Sequence, residues 1–177
     1  RTIGVGLPVP MGSNVSHSPH SPYPSRESVT DIISRRWEGN ILIDTTARLC
    51  ALSEALWGAG QGYPSILYVR LSNGIGASLV VSYRLSGGEL GFTGELGHMR
   101  VPSVHTPCAC GKEGCLETLA SIPALCAQCD VSSLSELATK VSNQDSRTLS
   151  ILEHAMDAVG ACCANAALLI NPRAIIV

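Results

Sequence analysis

One segment limits what this chain can fold into more than any other: Glu95-Leu-Gly-His98, nine residues, then Cys108-Ala-Cys110-Gly-Lys-Glu-Gly114-Cys115-Leu-Glu117. Three thiols and the imidazole of His98 fall within eighteen positions. Zinc prefers soft thiolate sulfur and borderline imidazole nitrogen in a tetrahedron, and a Cys₃His set without an open position is structural rather than catalytic. Gly111 and Gly114 let the backbone wrap tightly around such an ion. The segment therefore reads as one structural zinc site made of His98, Cys108, Cys110 and Cys115. Spacing alone leaves other readings open: free thiols, a Cys108–Cys115 disulfide, or His105 in place of His98 as the fourth ligand.

A chain of 177 residues can bury a sizeable core and has no need of disulfides to fold. Eight cysteines, several gathered in one Gly-rich loop, therefore point to metal ligation in a reducing compartment, and to the cytoplasm by default. Charged residues are 15% of the chain, below the roughly 25% of an average globular domain, and the net charge is −2. With no basic run to neutralise several phosphates, nothing within these residues is built to grip DNA. Asp157 and Asn165 interrupt the most hydrophobic stretch, so no membrane span or signal peptide is expected.

The organisation alternates between strands and helices. Thr2 to Gly6 reads as a strand running into Pro8 and Pro10, and residues 13–26, rich in Ser, Pro and His, read as a loop. A helix is expected over 27–37, a short strand over Ile41–Ile43, and a helix from Ala47 to Gly58 that stops at Gly-Ala-Gly. Ile66–Leu71 and Ile75–Ser82 read as a hairpin, residues 83–115 as mostly loop, and residues 148–170 as a helix. Its buried face is expected to carry Leu149, Leu152, Met156, Val159, Cys163, Ala166 and Ile170, with Met156 and Cys163 serving only as packing. Cys126 and Cys129 form a second C-x-x-C pair, read as ordinary thiols. Both chain ends read as cuts through secondary structure.

Gly94-Glu95-Leu96-Gly97-His98 followed by Cys108-x-Cys110-Gly111-x-x-Gly114-Cys115-x-Glu117 resembles the signature of the ROK family, which groups bacterial repressors, open reading frames and sugar kinases. Gly4 to Pro10, Glu54 to Gly62 and Asn171 to Val177 are similar to further family segments. The resemblance implies an α/β fold of the actin-like, ribonuclease-H-like type with two lobes. Residues 1–45 would belong to the first lobe, and 46–177 would form the second, with the zinc loop at 95–117. It also implies a sugar held by Glu95, His98 and Glu117, with Thr45 and Thr46 lining the same site. Carboxylates suit that task because they accept hydrogen bonds from neighbouring hydroxyls.

Departures from the family pattern separate its members. Family kinases carry Glu-Asn-Asp-Ala-Asn after the short strand, the Asp being the base for the sugar hydroxyl; here the residues are Asp44-Thr45-Thr46-Ala47-Arg48. A threonine hydroxyl does not ionise near neutral pH and cannot replace that base. The kinases' Gly-Thr-Gly-Ile-Gly-Gly-Gly turn becomes Ser72-Asn73-Gly74-Ile75-Gly76-Ala77-Ser78, so Gly74 and Gly76 are what remains for phosphate. The leading expectation is the sugar-sensing part of a ROK-type transcriptional regulator, with a DNA-binding winged helix upstream of residue 1 and a homo-oligomeric state. Its ligand would be a sugar or sugar phosphate. The alternative is an ATP- and Mg²⁺-dependent sugar kinase in which Asp44 acts as the base.

Overall fold

A computed structural model describes residues 1–7, 26–89 and 93–177. The expected loop over 13–26, except for its last residue, and the Pro8–Pro10 stop lie outside these residues.

Strand β1 (Thr2–Leu7) pairs in parallel with β2 (Asn40–Thr45), Thr2 opposite Asn40 and Leu7 opposite Thr45. Helix α1 (Arg26–Ser34), three residues shorter at its C-terminal end than expected, sets Val29 against Leu7 and Ile43, with Val5, Ile33 and Ile41 around them. Helix α2 (Thr46–Trp57) follows β2 directly because Thr45 turns the chain: its hydroxyl accepts the Arg48 N–H at 3.2 Å. The helix closes where the Gly58 and Gly60 amides both reach the Glu54 carbonyl, as the Gly-Ala-Gly sequence suggested.

The second sheet has the strand order β5-β4-β3-β6, formed by β3 (Ser65–Leu71), β4 (Ile75–Val81), β5 (Arg84–Ser86) and β6 (Ala174–Ile176). Ile66, Leu67, Val69, Ser78 and Val80 are its fully buried side chains. Strand β5 lies in a stretch expected to be loop. Ser82 and Tyr83, both at positive φ, make the two-residue turn that returns β4 into antiparallel β5, and neither has the Gly or Asn that usually announces such a turn.

Four helices complete the described chain: α3 (Glu117–Ala120), α4 (Ile122–Gln128), α5 (Leu134–Ser142) and α6 (Ser146–Ile170). Each of the last three begins at a side-chain cap: Ser121, Ser133 and Asp145 accept the amides of Ala124, Glu136 and Thr148. Helix α6 ends at left-handed Asn171, immediately before Pro172. Its buried face agrees with the expected one at Val159, Cys163 and Ala166 and differs elsewhere. Thr148, Ala155, Ala158, Val159, Cys162, Cys163 and Ala166 are buried, whereas Met156 is 41% and Ile170 37% exposed. Small side chains line this face because α3, α4 and α5 all pack on it, which leaves little room for Met or Leu. Cys126 and Cys129 are buried, one within α4 and one at its end.

The chain groups into two compact units. One comprises Arg1–Tyr68, Ala77–Gly94 and Ile176; the other comprises Val69–Gly76, Glu95–Ile175 and Val177. No described helix is long and apolar enough to cross a membrane.

Candidate metal centre

The Cys-rich loop closes on itself through its own backbone. The Gly111 amide donates to the Cys108 carbonyl at 3.0 Å, and the Cys108 amide to the Lys112 carbonyl at 2.7 Å, which folds Cys108 to Lys112 into a tight knuckle. Gly111 stands at φ +88°, a conformation that costs a side-chain-bearing residue about 1–2 kcal/mol. Gly114, at φ +73°, is more tightly placed: a Cβ there would meet the Val104 carbonyl oxygen at 2.3 Å. Val101 N–H to Gly114 carbonyl and Leu116 N–H to Met99 carbonyl then bring Cys115 beside a single 3₁₀ turn, Leu96–His98.

His98, Cys108, Cys110 and Cys115 consequently offer one ligand atom each, all within 4.8 Å of one another. His98 Nδ1 lies 3.6 Å from Cys108 Sγ, and Cys110 Sγ lies 3.6 Å from Cys115 Sγ. A tetrahedron with zinc–sulfur bonds of about 2.3 Å and zinc–nitrogen bonds of about 2.0 Å has edges of about 3.5–3.8 Å, so the set fits such an ion with little movement. His98 belongs to the cluster and His105 does not. Cys108 and Cys115 are free thiols, which removes the disulfide reading. Where the ring of His98 faces Cys108 through Nδ1, its Nε2 lies 3.8 Å from Glu95 Oε2. That is beyond hydrogen-bond distance, so the carboxylate stands near the ring without bonding to it.

The thiols influence each other in opposite directions. Burial, then the hydrogen bonds that Cys115 donates to Cys108 and Cys110 and their charge, pushes the Cys115 thiol up to about 12. Cys110 is held below its ordinary value: burial, the largest single influence, raises it, but the Lys112 amide, hydrogen bonds from Cys108 and Cys115 and the Lys112 ammonium together outweigh it. Three thiols this close do not all ionise on their own account; a divalent cation is what would let them. Burial also raises the Glu95 carboxyl, partly opposed by His98 and reinforced by Glu117, although 40% of its side chain meets solvent.

The other candidate residues have definite places. Glu117, 9% exposed at the start of α3, accepts the Ile75 amide on Oε2 at 2.7 Å. Gly74 precedes β4 and Gly76 is its second residue. Thr45 caps α2 and Thr46 is its first residue. Asp44 Oδ1 receives both the Thr45 amide and Arg48 Nε at 2.7 Å, and Arg48 Nη1 also donates to the Ser86 carbonyl at 3.1 Å. Sequence reasoning assigned Arg48 nothing, and its i,i+4 spacing from Asp44 was the available signal. It also passed over Gly97, where a Cβ would lie 2.2 Å from the Ile75 carbonyl oxygen.

An α/β chain whose loop assembles a Cys₃His ligand cluster next to Gly-Glu-Leu-Gly defines a narrow class of protein. The whole chain, residues 1–177, matches the ROK family, and it belongs to that family. It is 31% identical to the xylose repressor of Bacillus subtilis over 147 residues, 81% of this chain and 37% of the repressor. Among solved structures it resembles a ROK family transcriptional regulator, a homologue of the E. coli MLC protein, with a TM-score of 0.80 and 25% identity over 98% of this chain and 48% of that one. It also resembles the ROK hexokinase of Thermus thermophilus, with a TM-score of 0.75 and 28% identity over 97% of this chain and 58% of that one. The chain thus spans between about a third and three fifths of these relatives' lengths.

Proposed function

We propose that this chain is the sugar-sensing region of a ROK-type transcriptional regulator, acting in the cytoplasm and without kinase activity of its own. The observation that carries the reading is Thr46 at the head of α2, where the family's kinases have their Asp base, with Asp44 already committed to Arg48 and the Thr45 amide. His98, Cys108, Cys110 and Cys115 would hold one zinc ion, which supplies structural cross-linking of the loop and no chemistry. The chain's own residues do the recognition: Glu95, His98 and Glu117 would accept and donate hydrogen bonds to sugar hydroxyls, with Thr45 and Thr46 as separate candidate contacts at the head of α2. Binding changes DNA affinity only through a difference in sugar affinity between two conformations. The DNA contact itself would be made by a winged helix upstream, and the chain, with its actin-like α/β fold, would work as a homo-oligomer.

Calorimetric titration with hexoses, pentoses and their phosphates tests this. One sugar is expected to bind the chain and to lose at least about tenfold in affinity in Glu95→Gln, the loss of one charge-assisted hydrogen bond. Sugar binding indifferent to Glu95→Gln would remove the assigned site. The kinase alternative retains Gly74 and Gly76 for ATP phosphate, with Mg²⁺, and uses Asp44 as base; the resemblance to the Thermus thermophilus hexokinase is what favours it.

A further inference from the structure

The peptide unit of Ile75 is gripped on both sides by residues adjacent to metal ligands. Its amide donates to Glu117 Oε2 at 2.7 Å, across 42 positions of sequence, and Glu117 stands two residues after Cys115. Its carbonyl oxygen lies so close to Gly97 that a Cβ there would come within 2.2 Å, and Gly97 immediately precedes His98. Ser72, at the other end of the same turn, accepts the Ile122 amide at 2.9 Å, just past α3. All of these residues belong to one compact unit.

We propose that Glu117 is a positioning residue that couples the metal loop to the Ser72–Gly76 turn, so that metal occupancy of the loop sets how firmly that turn is held. The proposal rests on the reading of the Cys₃His cluster as a zinc site. A zinc ion would fix Cys115 and His98 relative to each other, and with them Glu117 and Gly97, the two grips on Ile75. The Glu117 carboxylate is buried, so its bond to the Ile75 amide is charge-assisted and costly to break. Without metal, the Cys108–Cys115 knuckle loses its cross-link, and the carboxylate is free to withdraw with it. The turn carries Gly74 and Gly76, whose amides are of the kind that receive an anionic ligand such as phosphate. Metal binding would then preorganise the turn before any anion arrives.

Amide hydrogen exchange by NMR on the 177-residue chain tests the coupling, with zinc content measured on the same samples. In the zinc-loaded chain, Glu117→Ala is expected to speed Ile75 exchange by at least about tenfold while the core amides of Leu67 and Val80 change less than about twofold. Glu117→Gln, which keeps an uncharged acceptor, gives a smaller acceleration and guards against misfolding of the alanine variant. Chelation of the unmodified chain accelerates Ile75 as Glu117→Ala does, and adds nothing further in Glu117→Ala. Zinc that binds and is removed with Ile75 exchange unchanged overturns the coupling alone. A chain that takes up no zinc overturns the metal reading, and the coupling with it. If chelation loosens the whole chain, the zinc-loaded variants decide: Ile75 exchange equal to the unmodified chain in both overturns the role of Glu117.

Discussion

Gly111 and Gly114 share one loop and one sign of φ, yet substitution by Ala is expected to separate them sharply. At Gly111, φ is +88° and an added Cβ meets no heavy atom within 4 Å, so the variant bears only the left-handed cost of about 1–2 kcal/mol. At Gly114, φ is +73° and the Cβ would sit 2.3 Å from the Val104 carbonyl oxygen, a backbone atom that cannot swing aside as a side chain would. Its relief requires moving the loop segment that presents Cys115, and overpacking of this kind adds about 1–3 kcal/mol. For a chain of this size each kcal/mol is about 2–4 °C in Tm, so Gly114→Ala is expected to melt at least about 2–4 °C below Gly111→Ala. Thermal unfolding of the zinc-loaded variants measures this, and competition against a chromogenic chelator measures the second consequence. Strain relieved by displacing Cys115 lowers zinc affinity in Gly114→Ala by about tenfold per 1.4 kcal/mol, while Gly111→Ala holds close to the unmodified value. Equal melting and equal zinc affinity in two folded variants would refute the reasoning.

Arg48→Met removes the donor to Asp44 and to the Ser86 carbonyl from a side chain only 18% exposed, and is expected to cost about 1.5–3 kcal/mol in urea unfolding. Arg147→Ala breaks a pair whose members are 70% and 67% exposed, so its effect in the same assay stays within about 0.5 kcal/mol. Cys110→Ser is expected to abolish stoichiometric zinc in metal analysis, since it removes one of four ligands. The hydrogen bonds from the Ser132 amide and hydroxyl lower the folded-state Glu136 carboxyl, and those from Thr148 lower Asp145. A lowered folded value contributes stability that is present above the unfolded values of 4.5 and 3.8 and is lost as pH falls through the folded ones. The urea midpoint is therefore expected to fall less steeply between about pH 5 and pH 3 in Glu136→Gln than in the unmodified chain.

The parts of this fold that were legible in advance are those specified locally. The β2–α2 step was readable because Thr45 caps the helix within three residues, and the His98, Cys108, Cys110 and Cys115 cluster because soft donors at loop spacing have few other uses. Helices α4 and α5 went unread although Ser121 and Ser133 are proper caps, because the helices are short and their apolar periodicity covers barely two turns. The misjudged face of α6 has a different cause. Three- and four-residue steps pick out the large residues Met156 and Ile170, while contact with three other helices selects the small ones, Ala155, Ala158 and Cys162. Strand β5 escaped because Ser82 and Tyr83 adopt positive φ without the residues that advertise it. The choice of His98 over His105, and the bond from Ile75 to Glu117 across 42 positions, depend on tertiary approach that no local pattern encodes.

The proposed function, sensing a sugar rather than phosphorylating it, rests on the position that Thr46 occupies. A coupled assay that follows ADP release, run with ATP, Mg²⁺ and a panel of hexoses on the zinc-loaded chain, tests that directly. The account predicts no sugar-dependent turnover, with a sugar still bound in titration. Hexose-dependent turnover that Asp44→Ala abolishes, and Thr46→Ala does not, would contradict it and make the chain a kinase.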